Sequence, residues 1–253
     1  MGFEEVLRFC NGEKIARRAV WVTFDDGHPS VIENALPELD ETEIPATAFI
    51  CPSVVDTSEP FWWQVIAMAG DIGVKPDGRP LGERETARLK SIPDAERRAF
   101  VAKLRGLAEE HLQKDLEMPQ ITMDQLSRWT ASGRHVGNHS WDHPLFDQVP
   151  VHEQRRQVML AHDWINENIP QEGLFFAYPN GNATSFVEGV LRQVGYEAAL
   201  LFDHRLAGPT RPLGLSRIRV NGTDDLALFR IKVSGAHPSA RRLVRRALIW
   251  LGL

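Results

Sequence analysis

Two acidic residues stand side by side at Asp25-Asp26, directly before Gly27, and two histidines, His139 and His143, stand four residues apart in Gly-Asn-His-Ser-Trp-Asp-His-Pro, residues 137–144. Two imidazoles at that spacing on a helical turn would share one face and could hold one cation. The spacing is that of HExxH, but Ser140 occupies the glutamate position, which excludes that metalloprotease pattern. Neighbouring side chains on a strand point to opposite sides, so Asp25 and Asp26 are expected to divide the work rather than clamp one ion together. Asp26 with His139 and His143 makes a set of one carboxylate and two neutral imidazoles with open positions. Such a set suits Zn2+ best, with Co2+, Ni2+ or Fe2+ compatible with the same ligand types. A cation there lowers the pKa of a coordinated water towards about 7 and polarises a carbonyl. Asp25 is then the carboxylate placed to take the water's proton. Each cluster alone is weak, because Asp-Gly is a common turn pair and nine histidines give several chances of a four-residue spacing. Their combination points to a metal site.

The elements that must position these residues alternate between strands and helices, which indicates βα units and a parallel sheet or barrel. Short β-rich runs at residues 19–24, 46–51, 135–137, 174–177, 197–202 and 216–220 read as strands. Pro29 opens a helical stretch with Val31, Ile32, Ala35, Leu36 and Leu39 at helical spacing. Thr122-Met-Asp-Gln125 has the pattern of a capping box and opens a helix ending near Gly133. Helices are expected over residues 152–168 and 185–194, the second stopped by Gly195, and a closing helix over residues 239–253. Residues 59–118 break the alternation: Phe61-Trp62-Trp63 leads an apolar segment, a Gly/Pro-punctuated loop follows, and a charged amphipathic helix covers about 94–114. In parallel α/β folds, sites gather at the carboxyl ends of strands, so three polar clusters at three strand ends could converge. The third of them is Phe176-Ala-Tyr-Pro-Asn-Gly181.

Thr23–Gly27 and His139–His143 resemble the first two motifs of the NodB-homology polysaccharide deacetylases, carbohydrate esterase family four. The resemblance runs from about residue 18 to residue 235 and implies one α/β domain over 1–253, a distorted, incomplete (β/α) barrel with a helical insertion at about 59–118. It implies Asp25 as catalytic base and Asp26, His139 and His143 as metal ligands. The third cluster resembles the family's RPPYG-type motif in the FAYPxG form of one branch. The family arginine that fixes the catalytic aspartate is replaced by Ala177, and Asn180 stands where a backbone N–H helps to hold the oxyanion. Arg217 or Arg219 could supply the missing cation. The late Leu-x-His of the family has no match; neither His204 nor His237 is assigned as general acid. Tyr178, Pro179, Arg217 and Trp63 are the candidate substrate contacts, Trp63 because an indole face suits a pyranose ring. The resemblance implies hydrolytic removal of acetyl groups from N-acetylated or O-acetylated carbohydrate, a hydrolase acting on linear amide C–N bonds. The alternative is a weak or inactive glycan-binding pseudoenzyme on the same fold, motivated by the missing arginine and histidine.

Composition is that of an ordinary globular chain of 253 residues, 43% hydrophobic and 25% charged. A net charge of −5 gives no nucleic-acid footprint. Cys10 and Cys51 are too few for a disulfide framework. Residues 1–10 hold no apolar run of signal-peptide type, and no apolar run approaches about 18 residues. A cytoplasmic or membrane-peripheral location is therefore the expectation. Arg241, Arg242, Arg245 and Arg246 beside Leu243, Leu248, Ile249 and Trp250 form a basic amphipathic pattern that suits either an anionic membrane surface or a helix docked on the barrel.

Overall fold

A computed structural model describes residues 1–16, 19–208 and 211–234. Five strands, β1 (Val22–Phe24), β2 (Ala46–Ile50), β3 (His135–Asn138), β4 (Phe175–Ala177) and β5 (Ala198–Leu200), form one sheet. Their spatial order equals their chain order and every pairing is parallel. Each strand thus pairs with the next along the chain, the progression of a barrel, and with five strands the barrel stays incomplete.

Helices α1 (Phe3–Cys10), α2 (Leu36–Glu41), α3 (Trp62–Asp71), α4 (Glu83–Leu89), α5 (Asp94–Leu112), α6 (Met123–Ala131), α7 (Val151–Asn168), α8 (Ser185–Val194) and α9 (Leu226–Val233) complete the described elements. The stretch opened by Pro29 begins with a π turn, Val31–Ala35, before α2. Thr122 Oγ1 accepts the Gln125 N–H at 3.2 Å and the Gln125 side chain accepts the Thr122 N–H at 3.0 Å, so the expected capping box forms. Gly195 ends α8 in the left-handed region.

Period-two alternation sorts the strand side chains into two layers. Ala46, Ala48 and Ile50 face outward into a core with Ile32, Leu36, Trp129 and Ile165. Phe49, Phe175, Ala177, Ala198 and Leu200 face inward and pack with Val6 and Phe3 of α1, which fills one end of the barrel. Gly137 lies where β3 passes closest to that interior. A Cβ there would sit 2.3 Å from the Phe49 ring, so only glycine fits. Between β2 and α6, helices α3 to α5 enclose an apolar cluster of their own, with Val65, Ile66, Leu89 and Leu104.

One expected element is corrected. Residues 216–220 do not form a strand; only Leu215 bridges to Leu200. The reason is visible in the hydrogen bonds: Arg217 Nε donates to the Leu201 carbonyl at 2.9 Å, so a side chain takes the acceptor next in line for a strand amide. Helices α1, α4 and α9 were not expected. The closing helix expected at 239–253 lies outside the described residues.

Candidate metal centre

Alternation along β1 sends Trp21 and Thr23 inward, and Asp25 continues that side beyond the strand end. Trp21 Nε1 donates to Thr47 Oγ1 at 3.0 Å, and Arg217 Nη1 donates to Thr23 Oγ1 at 3.2 Å. Asp26 follows in the left-handed region, φ 72°, which turns its carboxylate away from the path of the strand.

His139 leaves β3 with its N–H on the Ile50 carbonyl at 2.9 Å. The histidines are not on a helical turn, contrary to the expectation from their spacing. Ser140 and His143 both have positive φ, 69° and 60°. Asn138 Oδ1 accepts the Ser140 N–H at 2.7 Å, and Ser140 Oγ accepts the His143 N–H at 3.2 Å, closing two successive side-chain turns. Pro144 then disfavours right-handed helical backbone at His143. The loop brings the two rings to a centroid distance of 4.9 Å.

Asp26, His139 and His143 offer ligand atoms within 4.8 Å of one another. Asp26 Oδ1 lies 3.3 Å from His139 Nε2 and 3.4 Å from His143 Nε2. That oxygen is buried and makes no hydrogen bond. An unsatisfied carboxylate oxygen aimed between two imidazole nitrogens fits a divalent cation, because a cation completes all three at once. His139 Nδ1 donates to the Ala177 carbonyl at 2.7 Å, which leaves Nε2 with its lone pair facing Asp26. His143 has no such partner at Nδ1. Its ring is instead held by Trp63, centroid 4.4 Å away, and Phe61 at 6.1 Å, with Phe61 and Trp63 stacked on each other.

Asp25 lies beside this group, its Oδ2 4.0 Å from His139 Nε2. Arg217 grips it with Nη1 to Oδ1 and Nη2 to Oδ2, each 2.7 Å. Of the two arginines named from the sequence, Arg217 makes this contact, whereas Arg219 stacks on Phe202, 5.4 Å from its centroid.

Burial raises the cost of ionising Asp25, but Arg217 and His139 outweigh it and bring its pKa to about 2. Asp26 is likewise held down: burial opposes, while the neighbouring His139 and His143 imidazoles prevail. Burial, helped by His139, pushes His143 down to about 4 despite the pull of Asp26. His139 goes the other way, because Asp25, Asp26 and the Ala177 carbonyl overcome its burial. Two carboxylates are therefore charged and His143 neutral at pH 7, the protonation a metal requires of these groups.

Tyr178 is corrected as a substrate contact. Its side chain is fully buried among Phe146, Phe176 and Leu213, and its hydroxyl donates to the Leu213 carbonyl at 3.0 Å. Pro179 is buried beside it. Both shape the wall that carries Asn180, and neither offers a side-chain surface. Asn180 adopts φ 53°, a conformation asparagine tolerates. Trp62 packs in the cluster of α3 to α5, with the Arg97 guanidinium 5.3 Å from its ring. Sequence reasoning missed Lys90, whose Nζ donates to Asn180 Oδ1 at 2.6 Å, and Arg98, which joins α5 to Asp142 of the histidine loop at 2.9 Å. No local signal marks either, since both contacts depend on where the inserted helices dock.

The sequence pattern of one family, polysaccharide deacetylase, matches residues 12–199. The chain belongs to the polysaccharide deacetylase family. The five parallel strands form the incomplete (β/α) barrel of its NodB-type fold. Among curated proteins, the poly-β-1,6-N-acetyl-D-glucosamine N-deacetylase of Staphylococcus aureus is 43% identical over 47 residues, which are 19% of this chain and 16% of that one. The chain thus matches under a fifth of that relative's length. Among solved structures, the Streptococcus pyogenes deacetylase PplD, in complex with acetate, aligns with a TM-score of 0.62 at 16% identity, over 92% of this chain and 78% of that one. IcaB from Ammonifex degensii aligns with 0.56 at 18% identity, over 92% and 81%. These two likenesses bear on the fold. Among the described residues, no helix of this chain is long and apolar enough to cross a membrane.

Proposed function

We propose that this chain is a metal-dependent hydrolase that removes acetyl groups from N-acetylated or O-acetylated carbohydrate. The observation that carries the reading is the pairing of two differently equipped carboxylates. Asp26 presents a bare oxygen to two imidazoles, and Asp25, next in the chain, is held ionised by Arg217. Asp26, His139 and His143 would hold the cation, Zn2+ by donor type, with Co2+, Ni2+ or Fe2+ as alternatives. A divalent ion so held supplies Lewis acidity towards an acetyl carbonyl and acidifies a water.

The chain's own residues do the rest. Asp25 accepts the proton of the attacking water, and Arg217 fixes both of its oxygens so that it keeps one orientation. The Asn180 main-chain N–H is the donor assigned to the oxyanion, preorganised by the turn that Tyr178 anchors in the core. Asp25, having collected a proton, is the group that returns it to the departing amine or alcohol. The pseudoenzyme alternative rests on the missing family arginine and late histidine; Arg217 supplies a guanidinium to Asp25 from another segment, while the histidine has no assigned counterpart.

Acetate release from acetylated chito-oligosaccharides and acetylated xylan, with and without chelator, tests the reading. Chelator-sensitive release is expected from at least one of them. A metal-loaded protein that releases no acetate from either would contradict it.

A further inference from the structure

Lys90 caps the end of α4, and its Nζ reaches across to Asn180 Oδ1 at 2.6 Å. Asn180-Gly181 packs directly on Phe202: a Cβ added to Gly181 would fall 2.7 Å from the Phe202 Cβ and nitrogen. The Phe202 ring in turn carries two guanidinium groups, Arg217 at 5.7 Å and Arg219 at 5.4 Å. A continuous path of contacts therefore runs from Lys90 through Asn180 and Phe202 to Arg219, along the wall beside Asp25.

The cations on this wall are not alike. Arg217 is neutralised by Asp25. Lys90 bonds a neutral amide and Arg219 an aromatic face, and among the described residues neither pairs with a carboxylate. Asp203, next to Phe202, is engaged by the Ser216 hydroxyl at 2.9 Å and by Arg205 at 3.8 Å. The two free cations also sense each other and the centre. Partial desolvation lowers the Lys90 pKa, Arg219 lowers it further, and Asp26 opposes both. Two carboxylates thus face three cations here, and a divalent ion on Asp26 would add two more positive charges. An acetamide brings no charge to offset that excess.

We propose that Lys90 and Arg219 form an anion subsite at the mouth of the centre, which takes a phosphate or carboxylate group carried by the substrate near its acetylated sugar. Lysine and arginine are the residues that bind such groups through charge-assisted hydrogen bonds. Arg219 is preorganised by its stacking on Phe202, and Lys90 by its bond to Asn180. Lys90 comes from the inserted helices and Arg219 from the chain after β5, so the subsite closes only when the insertion is docked. The inference rests on the acetyl-hydrolysis reading of the neighbouring centre and adds the substrate's charge to it.

Three matched substrates test it: tetra-N-acetylchitotetraose, the same tetramer bearing a 6-phosphate, and the same tetramer oxidised to a 6-carboxylate. Acetate-release kcat/KM is measured on the metal-loaded protein at low and raised salt. The expected result is a preference of about tenfold for one or both charged tetramers, the scale of one charge-assisted hydrogen bond. That preference should shrink as salt screens it. Which charged tetramer wins identifies the anion. In Lys90→Met and in Arg219→Met the ratio of charged to neutral kcat/KM falls at least about threefold, and in the double variant it approaches one. Both side chains are exposed, and circular dichroism confirms that the variants fold. Equal rates on all three tetramers, or a ratio unmoved by both substitutions, would overturn the subsite. No acetate from any tetramer contradicts the hydrolysis reading instead. Calorimetric binding of the phosphorylated and neutral tetramers to wild type and Arg219→Met then decides the subsite alone, with equal affinities counting against it.

Discussion

Arg217 holds Asp25 through two parallel hydrogen bonds of 2.7 Å, although 192 residues separate them in the chain. The contact ties the chain after β5 to the end of β1 and fixes the state of a carboxylate at once. Replacing Arg217 by Met removes the charge that keeps Asp25 acidic, so the Asp25 pKa rises from about 2 towards the ordinary carboxylate range. A base works only when ionised, so the acid limb of the kcat/KM profile moves to higher pH. Turnover at neutral pH falls about 10²-fold through lost orientation. Arg217→Lys restores part of the charge but not the two-pronged grip, and lies between. A pH–rate profile checks this; an unmoved acid limb refutes the pairing as functional.

The same pair makes a statement about stability. Asp25 has a folded pKa below its unfolded value, so its contribution is fully present above the unfolded value near 4. It is lost as pH falls through about 2. Acid unfolding of the wild type and Asp25→Asn should therefore converge below about pH 2 and reach full separation by about pH 4. Parallel curves throughout would contradict the shift.

Asp25→Asn separates base from ligand. The cation's three donors remain, so metal content stays near one per chain, while turnover falls by about 10²–10⁴, the usual worth of a positioned base. Metal analysis and acetate release on one preparation check both halves.

Trp63 and Phe61 fix His143 by packing where His139 is fixed by a carbonyl. Trp63→Ala should weaken metal affinity about tenfold, the lower end of what a lost supporting contact costs. Tyr178→Phe, by contrast, removes one buried hydrogen bond to Leu213 and should cost about 1 kcal/mol of stability without changing KM. Calorimetric titration with Zn2+ and thermal melts distinguish these two outcomes.

Much of this was legible in the residues because the signals are local. Thr122 and Gln125 cap α6, Gly195 stops α8, and Asp25-Asp26 falls at the end of β1 as the β-rich run implied. His139 and His143 do come together, but not in the geometry that their spacing suggests. Four-residue spacing suggests a helix, but Asn138, Ser140 and Pro144 bend the segment through two left-handed residues instead. The choice between Arg217 and Arg219 needed the tertiary fold, since both share one side of the chain and only one finds Asp25. Helix α4 escaped notice because of its buried residues only Leu89 marks an apolar face. Lys90 at its end was hidden with it. Tyr178 looked like a contact because motifs carry no record of burial.

The central claim is that one divalent ion is bound by Asp26, His139 and His143. Anomalous diffraction from crystals of the zinc-loaded protein, recorded on both sides of the zinc edge, tests it most directly. The account predicts a single strong peak bonded to Asp26 Oδ1, His139 Nε2 and His143 Nε2, and no peak there in Asp26→Ala. A peak elsewhere, or zinc uptake unaffected by that substitution, would contradict it.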